Sequence, residues 1–193
     1  MKKIGIMGGS FDPPHFGHLI IAEEARCKLE LDKVLFIPAF ISPLKSDKEI
    51  TPTEHRVRMT QLAIEDNPFF ELETWELEQK QVSYTVDTLA MLHEKYKGSA
   101  FYLIIGDDNL AVFQRWRSPE KIKSLAHLVV FERDHKMEDL PPETNSISFL
   151  REVTVGISST LLRQRLKRQK SIRYLCPDSV NTYIKEKKLY QSP

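Results

Sequence analysis

The chain has 193 residues, 41% of them hydrophobic and 28% charged, which is enough for one compact domain with a real core. Its 28 Lys and Arg against 27 Asp and Glu leave a net charge of +1, which argues against a basic nucleic-acid binder or a polybasic membrane-surface protein. No apolar stretch is long enough to span a bilayer, glycines interrupt the first apolar run too early for a secretory segment, and Cys27 and Cys176 stand far apart, so the chain reads as a cytoplasmic protein with reduced thiols.

Residues 3–7 form a short apolar run before Gly8 and Gly9 and read as a strand. Residues 17–29 carry apolar side chains at roughly helical spacing. Residues 33–39 read as a second buried strand, 40–52 as a loop, and 53–66 as a helix with Thr53 as its N-cap. Alternation over 69–77 predicts a strand, and 85–96 a helix. The continuous apolar run 100–105 suits a strand buried on both faces. A helix at 119–125, a strand at 128–131, a loop at 134–145 and a strand at 147–155 follow. Helices at 159–168 and 178–187 close the chain. Strands alternating with helices predict a Rossmann-like α/β fold, a doubly wound parallel sheet. The expected organisation is a single domain over 1–193, with 156–193 as a C-terminal helical subdomain.

In such a sheet, ligands bind beyond the carboxyl ends of the strands. The first loop there reads Gly8-Gly9-Ser10-Phe11-Asp12-Pro13-Pro14-His15-Phe16-Gly17-His18. It is neither GxGxxG nor a Walker A loop, so a hydride-transfer cofactor and a P-loop ATPase both lose support. Gly8 and Gly9 allow close backbone approach by a nucleotide. His15 and His18 stand at the start of a helix, where free N–H groups and the helix dipole favour phosphate. Two such donors can stabilise charge on a transferring phosphoryl group.

This loop resembles the GxFDPxHxGH signature of the nucleotidyltransferase superfamily. Gly156-Ile157-Ser158-Ser159-Thr160-Leu161-Leu162-Arg163 resembles the same superfamily's second signature, ISSTxxR. Gln81 through Thr88, Gly106-Asp107-Asp108, Trp116 and the closing segment from Tyr174 to Tyr190 are similar to bacterial nicotinate mononucleotide adenylyltransferases, so the resemblance spans nearly the whole chain. It implies ATP and nicotinate mononucleotide as substrates, with nicotinate adenine dinucleotide and pyrophosphate as products.

The implied ATP-binding residues are Gly8, Gly9, Ser10, Phe11, His15, His18, Ile157, Ser158, Ser159 and Arg163, with His15, His18 and Arg163 catalytic. The implied acceptor residues are Lys45, Thr85, Gly106, Asp108, Trp116 and Arg133. Thr85 and Trp116 would hold the nicotinate ring, Asp108 a ribose hydroxyl, and Lys45 and Arg133 phosphates. The expected cofactor is Mg²⁺ carried mainly by the ATP phosphates, with no protein metal site, because no carboxylate cluster suggests a cage.

The chain departs from the family pattern at Leu44, Asp107, Arg117, Asp134 and His135. Competing expectations are a superfamily transferase acting on nicotinamide mononucleotide or pantetheine phosphate, and a nucleotide-binding sensor without turnover. Neither nucleic acid nor membrane is an expected partner, and the sequence is compatible with a homo-oligomer.

Overall fold

The computed structural model describes residues 1–41, 50–131 and 146–191. Within them the chain runs β1 (Lys3–Gly9), α1 (Phe16–Leu29), β2 (Lys33–Pro38), α2 (Thr53–Ile64), β3 (Phe70–Leu72), α3 (Trp75–Gln79), α4 (Thr85–Lys95) and β4 (Ala100–Gly106). It continues through α5 (Asp107–Ala111), a 3₁₀ turn (Phe113–Arg115), α6 (Pro119–Leu125), β5 (His127–Phe131), β6 (Ile147–Leu150), α7 (Ser159–Lys167) and α8 (Asp178–Glu186). The strands form one sheet in the order β3-β2-β1-β4-β5-β6, and every pairing is parallel. This is the doubly wound, Rossmann-like α/β fold that the sequence predicts.

Both faces of the sheet are covered, as parallel sheets require. Along β4, Phe101, Leu103 and Ile105 enter one core with Val86, Leu89 and Ile122. Ile104 enters the opposite core with Ile21, Met59 and Leu162. The second core also takes Ile172, Cys176, Val180 and Ile184. The C-terminal helices therefore share the hydrophobic core of the sheet.

Some boundaries differ from the sequence reading. The expected strand over 69–77 ends at Leu72. Glu73 then accepts a hydrogen bond from the Trp75 N–H at 3.1 Å and α3 begins, so a side chain competing for the backbone ends the strand. The expected strand over 147–155 also ends early, at Leu150. Pro52, not Thr53, occupies the cap position of α2. The expected loops at 40–52 and 134–145 lie largely outside the described residues, as do Leu44, Lys45, Arg133, Asp134 and His135.

The sheet opens at one place. Pairing between β1 and β4 runs only from Lys3–Ala100 to Ile6–Leu103. The β1–β2 ladder continues to Gly9–Pro38 and the β4–β5 ladder to Gly106–Phe131. The carboxyl ends of β1 and β4 therefore diverge where the strand order reverses, which is where doubly wound sheets bind ligands.

A shared core predicts one cooperative unfolding transition. Ile184→Ala truncates a side chain that is 1% exposed and should lower stability by about 2–4 kcal/mol in that single transition. Urea denaturation checks this. A separate transition confined to the C-terminal helices would contradict the shared core.

Candidate active site at the open end of the sheet

The loop after β1 turns on Phe11, whose φ of 48° lies in the left-handed region. That conformation costs a non-glycine residue on the order of 1 kcal/mol. Burial of the ring offsets it: Phe11 is 1% exposed, 5.7 Å from the Phe36 ring and 5.1 Å from His18, centroid to centroid. The Phe11 side chain therefore belongs to the core. A Cβ at Gly8 would meet nothing within 4 Å, so sterics inside the protein do not require glycine there.

His15 is the N-cap of α1, with extended backbone, and His18 is its third helical residue. Their rings stack with centroids 3.7 Å apart. The His15 N–H donates to His18 Nδ1 at 3.2 Å. This bond uses the Nδ1 lone pair, so a neutral His18 carries its proton on Nε2. His15 is 5% exposed, whereas His18 is half-buried, so His18 is the more accessible donor. Two unit charges at about 4 Å repel by roughly 4 kcal/mol at an effective dielectric near 20. A neighbouring polyphosphate is what would make two cationic rings tolerable.

Gly17 sets this stack. A Cβ there would lie 2.9 Å from His15 Nδ1, 3.0 Å from its Cε1 and 3.1 Å from Val155 Cγ1. Glycine is required here by close packing, since the residue itself is helical.

The second signature meets the first loop directly. Ser158 caps α7 by accepting from the Leu161 N–H at 3.2 Å. Ser159 is the first helical residue and does not cap; its hydroxyl donates to the Pro13 carbonyl at 2.9 Å. Arg163 Nη1 donates to the Asp12 carbonyl at 2.6 Å, and its Nη2 to Thr160 Oγ1 at 3.3 Å. The rest of its donor fork remains for an anion. Ile157 packs on the core beside Val155.

Beneath the loop is a charged cluster that sequence reasoning missed. Arg56 is 1% exposed. Its guanidinium donates to the carbonyls of Ser10 at 2.9 Å, Ala39 at 2.8 Å and Thr51 at 3.0 Å. Burial pushes its pKa down, and the Asp12 carboxylate opposes that shift. Asp12, 4% exposed, accepts from the Tyr190 hydroxyl at 2.6 Å and from the Thr51 N–H at 3.4 Å. Burial, then the Asp12 charge, raises the pKa of Tyr190 and keeps its hydroxyl protonated. Asp12 is thus committed to structural hydrogen bonds. Ser10 Oγ is buried with no partner among the described residues.

Across the opening lie the acceptor candidates. Thr85 begins α4 after Tyr84. Gly106 ends β4 and serves as the N-cap of α5, whose second residue is the exposed Asp108. Trp116 is half-buried, with its ring centroid 5.3 Å from Phe113 and Nε1 buried without a partner among the described residues. Arg117 joins this segment to α4, stacking 4.7 Å from the Tyr84 ring centroid and pairing with Asp87 at 3.1 Å. The departure at Arg117 therefore has a structural role here. Among the described residues, no group of three or more His, Cys, Asp or Glu is placed to hold a metal, and no helix is long and apolar enough to cross a membrane.

Gly17→Ala should displace the His15 ring and lower kcat by about tenfold in a folded protein. Steady-state kinetics checks this; a wild-type kcat would contradict the role given to the stack. Arg56→Met should cost about 3–5 kcal/mol, because it strands a buried carboxylate and several carbonyls. Denaturant unfolding reads that loss, and a cost under about 1 kcal/mol would contradict it.

Residues 6–165 match the cytidylyltransferase-like family. The chain is 46% identical to a probable nicotinate-nucleotide adenylyltransferase of Roseiflexus sp., covering 97% of this chain and 98% of that protein. It is 38% identical to the nicotinate-nucleotide adenylyltransferase of Bacillus subtilis over 100% of both chains. Its fold is also that of a Plasmodium falciparum nicotinic acid mononucleotide adenylyltransferase solved in complex with NaAD, with a TM-score of 0.77, 22% identity and 98% of each chain covered. The split sheet, the stacked histidines and the full-length identities agree: the chain belongs to the cytidylyltransferase-like family and, within it, to the nicotinate-nucleotide adenylyltransferases.

Proposed function

We infer that this chain transfers the adenylyl group of ATP to nicotinate mononucleotide, forming nicotinate adenine dinucleotide and releasing pyrophosphate. The observation that carries the reading is the convergence of two segments on the open end of the sheet. The stacked pair His15 and His18 stands on one side. The start of α7, bonded to the same loop through Ser159 and Arg163, stands on the other.

The reaction is an in-line displacement. A phosphate oxygen of nicotinate mononucleotide bonds to the α-phosphorus of ATP, and the bond from that phosphorus to the pyrophosphate oxygen breaks. No enzyme nucleophile is required, so catalysis is positioning and charge stabilisation. The ATP phosphates lie along Gly8, Gly9, Ser10 and the Phe11 backbone, against the starts of α1 and α7 with Ile157, Ser158 and Ser159. His18 donates through Nε2 to the charge that develops in transfer. His15 packs beneath it, and Arg163 supplies further donors.

Thr85 and Trp116 receive the pyridine ring, and Gly106 and Asp108 the ribose. Lys45 and Arg133 are assigned to phosphates. Mg²⁺ would be held mainly by the ATP phosphates rather than by side chains of this chain, and would supply partial neutralisation of their charge. With ATP as its substrate, the reading assigns the chain to the cytoplasm.

A pyrophosphate-release assay with ATP and Mg²⁺ tests this reading, comparing nicotinate mononucleotide, nicotinamide mononucleotide and pantetheine phosphate. The expected result is strong preference for the nicotinate acceptor. Preference for another acceptor would overturn the substrate assignment, and binding without turnover would overturn the activity. In the same assay His18→Ala should lower kcat by roughly a hundredfold or more; a near-normal kcat would remove His18 from the mechanism.

A further inference from the structure

Glu76 lies in α3, just before the helix that carries Thr85. It is 8% exposed, and no Lys, Arg or His among the described residues pairs with it. Its neighbour Glu73 differs: that carboxylate pairs with Lys95 at 2.6 Å and caps the Trp75 N–H. Glu76 is held by hydroxyls instead. Thr88 Oγ1, on a residue 3% exposed, donates to Glu76 Oε1 at 2.6 Å. The Ser83 side chain lies by the same carboxyl group and favours its charged form.

Those two residues bracket Thr85. Ser83 reaches further: its hydroxyl accepts from the Phe40 N–H at 3.0 Å, and its own N–H donates to the Ile41 carbonyl at 2.9 Å. One buried carboxylate therefore ties together the turn before α4, its first turns, and the chain leaving β2. Burial pushes the Glu76 carboxyl up, and Thr88 and Ser83 pull it partly back. An apolar side chain would fill this space at lower cost. What it could not do is fix two hydroxyls in one geometry.

We propose that Glu76 is a positioning residue for the acceptor: through Ser83 and Thr88 it fixes the turn that presents Thr85 and the start of α4 to nicotinate mononucleotide. The inference rests on the acceptor placement given under the proposed function. It assigns Glu76 no contact with substrate.

The test is steady-state kinetics of Glu76→Ala, Glu76→Gln and Thr88→Val, varying each substrate in turn. Glu76→Ala and Thr88→Val should raise the acceptor KM about tenfold, as loss of a buried hydrogen bond at a site does, and leave the ATP KM within about twofold. Glu76→Gln keeps an oxygen that accepts from Thr88 and should stay near wild type. If Glu76→Ala does not fold, Thr88→Val against Glu76→Gln makes the same comparison. An unchanged acceptor KM in Thr88→Val would overturn the proposal, as would equal KM rises for both substrates that track a fall in Tm. Trp116→Ala serves as the control for the acceptor placement. If it raises the acceptor KM while the Glu76 and Thr88 variants do not, only the present inference falls. If it leaves the acceptor KM unchanged, the placement itself falls.

Discussion

A buried guanidinium holds the open end of the sheet together. Arg56 joins the loop after β1, the end of β2 and the segment before α2 by donating to the carbonyls of Ser10, Ala39 and Thr51. The Ser10 and Ala39 carbonyls sit just past the ends of β1 and β2, and the Thr51 carbonyl just ahead of α2, where backbone groups would otherwise be left unsatisfied. Asp12 supplies the opposing charge and is bonded in turn by Tyr190 from the far end of the chain. A planar fork of donors suits this task, and a lysine ammonium would not span the same acceptors. The arrangement costs desolvation, but it fixes a loop that has few apolar contacts of its own beyond Phe11.

The catalytic geometry depends on that loop. The Asp12 and Pro13 carbonyls take hydrogen bonds from Arg163 and Ser159, so the start of α7 is located by the same residues that the buried cluster holds. The His15–His18 stack follows on the helix that leaves the loop, and Gly17 keeps the imidazole seated. On the other side of the gap between β1 and β4, Thr85, Gly106, Asp108 and Trp116 belong to elements packed around the core of Val86, Leu89 and Ile122. In the proposed reading, the donor of the adenylyl group and its acceptor are thus held by opposite halves of the molecule, meeting where the sheet divides.

The α/β order and the two signature segments were legible in the sequence because both are local. An apolar run before a glycine turn, and paired histidines after it, need no knowledge of distant contacts. The short helices α3 and α5 were not legible, since neither is long enough to show a period, and Glu73 and Trp75 extended the alternation past the true end of β3. Ser158 and Ser159 stand side by side in the signature, but only Ser158 is the residue before the helix and caps it; Ser159 turns to Pro13. Arg56 carried no signal, and Tyr190 stood out only as part of the closing segment, without its bond to Asp12. An arginine in a polar helix reads as solvated, and its burial follows only when the chain from Ser10 to Tyr190 has closed around it. Glu76 was hidden for the same reason.

Transfer by positioning, without a covalent adenylyl-enzyme, is the claim on which the chemistry of this site rests. The stereochemical course at the α-phosphorus tests it most directly, using ATP made chiral there by sulfur substitution and reading the configuration of the dinucleotide product. A single in-line displacement predicts inversion. Retention would mean two displacements through an enzyme nucleophile, and would contradict the account.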